Sequence, residues 1–109
     1  NLAELKYLQR LYLPAMKDLP PNSMQTIAQL PRLRLLVIGA SNIQDEDLRP
    51  LAGNKTLQYL HMNDTGLTDA AIEHLATIKQ LRELTVAGSK ITAEGKTRLQ
   101  QALPYCSVR

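Results

Sequence analysis

Apolar residues recur along this chain at a step of 24. Leu33, Leu57 and Leu81 keep that step, as do Leu36, Leu60 and Leu84. The same spacing links Ile38, Met62 and Val86, then Ile43, Leu67 and Ile91, then Leu51, Leu75 and Leu99. Leu48 and Ile72 also match, although the third member of their column is Lys96. Small hydroxyl residues recur as Ser41, Thr65 and Ser89. So many agreeing columns identify an internal repeat. With one inserted residue the pattern reaches back to the N-terminus, where Leu8, Leu11 and Leu13 take the places of Leu33, Leu36 and Ile38. Leu19, Met24, Ile27 and Leu30 then fill the later columns, and Leu2 and Leu5 read as the tail of a preceding unit. The expected organisation is one domain, 1–109, with units at 8–32, 33–56 and 57–80 and a last unit with its cap at 81–109.

Within each unit the hydrophobic period changes. "LRLLVI", "LQYLHM" and "LRELTV" alternate and predict short strands. "DEDLRPLAG", "TDAAIEHLATI" and "TAEGKTRLQQAL" place apolar residues three or four apart and predict short amphipathic helices. Thr68 and Thr92 suit helix N-caps, because a hydroxyl can accept from a free backbone N–H. Asp69 and Glu94 then fall in the electropositive first turn. Pro50 is tolerable only in a first turn, which predicts a short turn ending at Gly53. One such unit cannot bury its own apolar side, so neighbours must stack. Stacking predicts an α/β architecture with one parallel sheet and the helices on the other side.

The strand-and-bend segments read L-x-x-L-x-I/M/V-x-x-S/T-x-I/L. They resemble the leucine-rich repeat pattern L-x-x-L-x-L-x-x-N-x-L over nearly the whole chain. "GLTDAAIEHLATIKQLREL" is similar to the subtype with a Thr-Asp helix start, found in bacterial arrays and close to the cysteine-containing repeats. "LQQALPYCSVR" resembles the C-terminal end of such arrays. The resemblance implies a curved right-handed solenoid, or horseshoe, with a concave sheet and convex helices, that works by binding and not by catalysis. The chain departs from the pattern at Pro50 and Lys96, at Met16, where a hydroxyl residue is expected, and at "KDLPPNSM", which interrupts the first unit. Lys96, in an apolar helix column, suits a terminal unit facing water.

Bulk properties narrow the functional classes. At 109 residues the chain can bury a core without disulfides or metals. With no Phe, no Trp and four Tyr, that core must be aliphatic. The net charge of +3 is not gathered into a basic run with interleaved aromatics, so nucleic acid is not an expected partner. One cysteine excludes an intrachain disulfide and leaves the compartment undetermined. No apolar stretch is long enough to span a membrane, and no stretch within the sequence reads as a signal peptide. The start at Asn1 and in mid-repeat reads as a piece of a longer protein. Upstream repeats, another domain or end-to-end self-association would then cover the apolar N-terminal edge.

In each strand the residues between the repeat leucines point to the concave face. These are Arg10, Tyr12, Leu35, Val37, Tyr59, His61, Glu83 and Thr85, with Gly39, Asn63, Asp64 and Ala87 at the strand exits. Leu35 and Val37, flanked by Tyr12, Tyr59 and His61, form an apolar and aromatic patch with polar edges, which suits a protein partner. The polar run 60–75 resembles a hydrolase or metal kit, but its members split between faces. His61 and Asn63 face inward, Thr65 serves the bend, and Asp69 and His74 face outward, so no catalytic residues are assigned. One Cys and two distant His lack the spacing of a zinc site, and neither metal nor cofactor is expected. "EGKT" at 94–97 resembles the end of a phosphate loop, but the upstream Gly88 lies two residues too far away. Cys106 reads as a packed cap residue, and Lys79, Lys90, Lys96, Arg98 and Arg109 as a solvated outer surface. The sequons at Asn54 and Asn63 matter only in a eukaryotic secretory setting. The leading expectation is a non-catalytic interaction module within a larger protein. The alternatives are a structural spacer used through its ends, or the targeting arm of an enzyme.

Overall fold

The computed structural model describes residues 6–13, 23–39 and 43–109. Leu2, Leu5, Met16, Leu19 and Ser41, and most of the insertion around 17–24, lie outside those ranges. Five short strands, β1 (Arg10–Tyr12), β2 (Leu35–Val37), β3 (Tyr59–His61), β4 (Glu83–Thr85) and β5 (Ser107–Val108), form one sheet in chain order. Every pairing is parallel, and the register follows the repeat: Leu11, Leu36, Leu60, Leu84 and Val108 are successive partners across the sheet. Parallel neighbours need a crossover between them, and the rest of each unit provides it.

The crossovers are short and unequal. The helix α1 spans Ser23–Ala28. The second unit has a 3-10 helix at Asp45–Leu51, and the third a 3-10 turn at Asp69–Ala71 running into α2 (Ile72–Leu75). The last has α3 at Ala93–Ala102. Pro50 sits near the end of the 3-10 helix rather than in its first turn. Pro50 has no N–H to donate back along the helix, and the segment turns out three residues later at Gly53, which adopts φ +75°. Thr68 and Thr92 cap as expected. Thr68 Oγ1 accepts from the Ala70 N–H at 3.2 Å and Thr92 Oγ1 from the Gly95 N–H at 3.0 Å.

The core is the repeat columns seen edge-on. Leu36, Leu60 and Leu84 are fully buried, as are Ile38, Met62 and Val86 behind them and Leu51, Leu75 and Leu99 under the helices. Leu8, Leu11 and Leu13 are only partly buried, and among the described residues β1 is an edge strand with a neighbour on one side. The return loops add apolar residues outside those columns, with Leu30, Ile78 and Leu103 all buried. Asn54 stands 24 residues before Ile78 and solves the same turn differently. Its side-chain oxygen accepts from the backbone N–H groups of Thr56 and Leu57, both at 2.8 Å.

Leu60 lies between Leu36 and Leu84 and has no exposed surface. Leu60→Ala is therefore expected to destabilise the fold by about 2–5 kcal/mol, measured by denaturant unfolding. An unchanged unfolding midpoint would contradict the packing of the stack.

Candidate interaction surface

The alternation of a strand decides what the sheet shows to solvent. The central residue of each three-residue strand points into the core, and its two neighbours point out. On the open face these are Arg10 and Tyr12, Leu35 and Val37, Tyr59 and His61, Glu83 and Thr85, in rows Arg10–Leu35–Tyr59–Glu83 and Tyr12–Val37–His61–Thr85. In β2, β3 and β4 the outward residues are half-buried around a buried centre. Tyr12 is more open, with 57% of its surface exposed.

Glu83 and His61 are diagonal neighbours, with His61 Nε2 3.3 Å from Glu83 Oε1. The two are close enough to attract if the imidazole is protonated, but the alignment is too poor for a hydrogen bond. His61 Nε2 and the Thr85 hydroxyl are covered polar atoms without a hydrogen-bond partner among the described residues. Such groups carry a desolvation cost in the folded protein.

Asn63 lies beyond the strand, and its side-chain oxygen is already engaged, accepting from the Ala87 N–H of the next unit at 3.1 Å. Asp64 follows it in a left-handed conformation, φ 58°, and its own N–H donates to the Ala87 carbonyl at 2.8 Å. Gly88 (φ +77°) faces Asp64, and a Cβ there would run into the Asp64 carboxylate. These residues clasp adjacent units at the strand exits.

The remaining polar residues also serve the stack. Thr65 Oγ1 donates to the Met62 carbonyl at 3.4 Å, and Ser89 Oγ to the Val86 carbonyl at 2.5 Å, so both hydroxyls close the bend. Asp69 does more than favour a helix start. Its carboxylate accepts from the Thr92 N–H at 2.8 Å and from the Thr92 hydroxyl at 2.7 Å. One unit earlier, Asp45 holds Thr68 in the same way, at 2.8 and 2.5 Å. Thr-Asp is thus a hook and an eye: Asp45 and Asp69 each take the Thr of the following unit. The repeat contains the signal for this, since Asp45 and Asp69 keep the step of Thr68 and Thr92.

"EGKT" also has a packing role. A Cβ on Gly95 would meet Asp69, and would lie 3.0 Å from Ile72 Cδ1, so the glycine lets α3 approach the preceding unit. Cys106 is buried, and burial, with the charge of Glu83 adding to it, pushes its thiol up to about 11. It is protonated at neutral pH, which does not suit a nucleophile. Among the described residues no group of three or more His, Cys, Asp or Glu side chains could hold a metal ion. No described helix is long and apolar enough to cross a membrane.

No family model matches the chain, and no curated protein matches it in sequence. Solved structures do. The chain is similar to actin-binding site 2 of leiomodin-1, with a TM-score of 0.72 and 13% identity, covering 99% of this chain and 76% of that one. It is also similar to a leucine-rich repeat protein of Leptospira interrogans, with a TM-score of 0.53 and 25% identity. That match covers 95% of this chain and spans 31% of the other. Together with the parallel five-stranded sheet and its flanking short helices, these likenesses give the chain the fold of a leucine-rich repeat solenoid.

The Asp69 carboxyl is held below its ordinary range. The Thr92 N–H is the main cause and the Thr92 hydroxyl the second; the Arg98 guanidinium, 3.9 Å away, adds to them and burial opposes. A depressed carboxyl stabilises the fold above the unfolded value of about 4, and that contribution disappears as pH falls through the folded value. Asp69→Asn should therefore lower the thermal midpoint at neutral pH, with a gap to wild type that closes as pH drops below about 4. A gap constant across that range would show that the charge plays no part in the hook.

Proposed function

We propose that this chain is a non-catalytic protein-recognition module that binds its partner through the open face of the sheet. The observation that carries this reading is the face itself. Tyr12, Val37, Leu35 and Tyr59 form an apolar and aromatic surface across three strands, bordered by Arg10, Glu83, His61 and Thr85. His61 Nε2 lies beside that surface, 3.3 Å from Glu83 Oε1 at its polar border. Aromatic anchors within a polar rim are the composition of protein-binding hot spots. Asn63 belongs to this surface through its exposed edge, although its side-chain oxygen also clasps the next unit. The likeness to a site that binds actin in leiomodin-1 is consistent with protein recognition by this fold, and it does not extend the choice of partner to this chain.

In the same reading the chain is one domain, with units at 8–32, 33–56 and 57–80 and a closing unit at 81–109. Gln100 supports the closing role: its amide donates to the carbonyls of Leu103 at 3.1 Å and Cys106 at 2.7 Å, tying the last turn to α3. The Thr-Asp hooks support the bacterial-type subtype.

The test is affinity capture with the folded domain, in parallel with a Tyr59→Ala/His61→Ala double variant of unchanged circular dichroism. Both substitutions lie on the open face, so the variant should lose the specifically captured protein. Equal capture by both proteins would assign recognition to the ends or the helical side.

A further inference from the structure

The mild net charge conceals a segregation that the fold creates. The return loops and strand starts occupy residues 6–10, 31–35, 52–59 and 76–82. These windows contain Lys6, Arg10, Arg32, Arg34, Lys55, Lys79 and Arg82, and no Asp or Glu. All seven are exposed. The other six Lys and Arg of the chain share the remainder with all ten Asp and Glu. Among the described residues no ion pair involves any of the seven.

The backbone brings these windows together along one edge. The Arg34 N–H donates to the Gln9 carbonyl at 2.9 Å, Gln58 to Arg34 at 2.9 Å, and Arg82 to Gln58 at 2.7 Å. Strand starts therefore follow one another at about 4.8 Å, which sets Arg34 and Arg82 about 10 Å apart at the backbone. Two recesses share Gln9 and Arg34: one continues to Arg32, Lys55 and Gln58, the other to Arg10, Leu35 and Tyr59 on the open face. Arg32 is held over the Tyr7 ring, with its guanidinium carbon 4.6 Å from the ring centre. Arg34 donates to the Gln58 side chain at 2.9 Å, so its guanidinium is braced.

We infer that this edge recognises an acidic, extended peptide segment of a partner protein, running across the strand starts with an apolar side chain against Leu35 and Tyr59. The inference rests on the proposed open-face recognition and adds the chemistry of what is recognised. Arginine forks match carboxylates, and an extended chain advances about 10 Å in three residues, which is the Arg34-to-Arg82 interval. Gln9 and Gln58 stand beside the cations and can bond peptide amides. A nucleic acid fits less well. The Tyr7 face is covered by Arg32 and so is closed to a stacking base.

The test is fluorescence anisotropy with a labelled peptide built of Glu-Glu-Leu triplets, and in parallel with single-stranded poly-uridylate. The domain should bind the peptide more tightly than the RNA, and more weakly as salt is raised. Arg34→Glu/Lys55→Glu should weaken peptide binding by about tenfold or more. Lys90→Glu, a charge reversal outside the strip, should change it less than about twofold. Absent binding, preference for the RNA, or equal weakening by both variants would overturn the inference. Those outcomes leave the open-face reading to its own test, since Tyr59 and His61 are untouched in both variants.

Discussion

A strand of three residues has no stability of its own, and neither does the helical turn opposite it. Each unit of this chain has an apolar side that only the next unit can cover, and stacking is the constraint on which the rest of the structure depends. Leu60 is buried because Leu36 and Leu84 flank it. The strands are parallel because every unit repeats the same path, and they are in register because the same column must meet itself. At β1, which among the described residues has a neighbour on one side, the same leucines are only partly buried.

Polar residues then fix the spacing that burial alone would leave loose. Hydrophobic contact is not directional, whereas a carboxylate accepting from both the N–H and the hydroxyl of one threonine is. Asp45 with Thr68 and Asp69 with Thr92 set one edge of the stack; Asn63 and Asp64 against Ala87 set another. A side of the sheet whose frame is held elsewhere can present its own side chains to solvent. That division leaves the Tyr12–Val37–His61–Thr85 row on the open face without a part in holding the stack.

The repeat made the fold legible. Period, strand positions, caps and core columns all follow from the step of 24, because burial on stacking imposes that step on the sequence. Helix type was less legible: Pro50 and the acidic start of 45–51 give a 3-10 helix where apolar spacing alone suggested an ordinary amphipathic one. The outward strand residues were legible as positions, since alternation fixes direction, but position carries no information about use. The Asp–Thr hook is present in the spacing but reads as a local helix start, because a cap and a lateral tie use the same residue types. The basic edge was not legible as a run, since its members are separated by a whole repeat and meet only when the solenoid closes them into one line.

Native-state hydrogen exchange at Ile38 and Met62 tests the central claim most directly. Their N–H groups donate to the carbonyls of His61 and Thr85 on the next strand, at 2.8 Å each, and their side chains sit in the shared core. If stacking holds the molecule together, both amides exchange only by global unfolding, with the same opening free energy as denaturant unfolding gives. Exchange at the rate of an open loop, or at two unrelated rates, would contradict a cooperative stack.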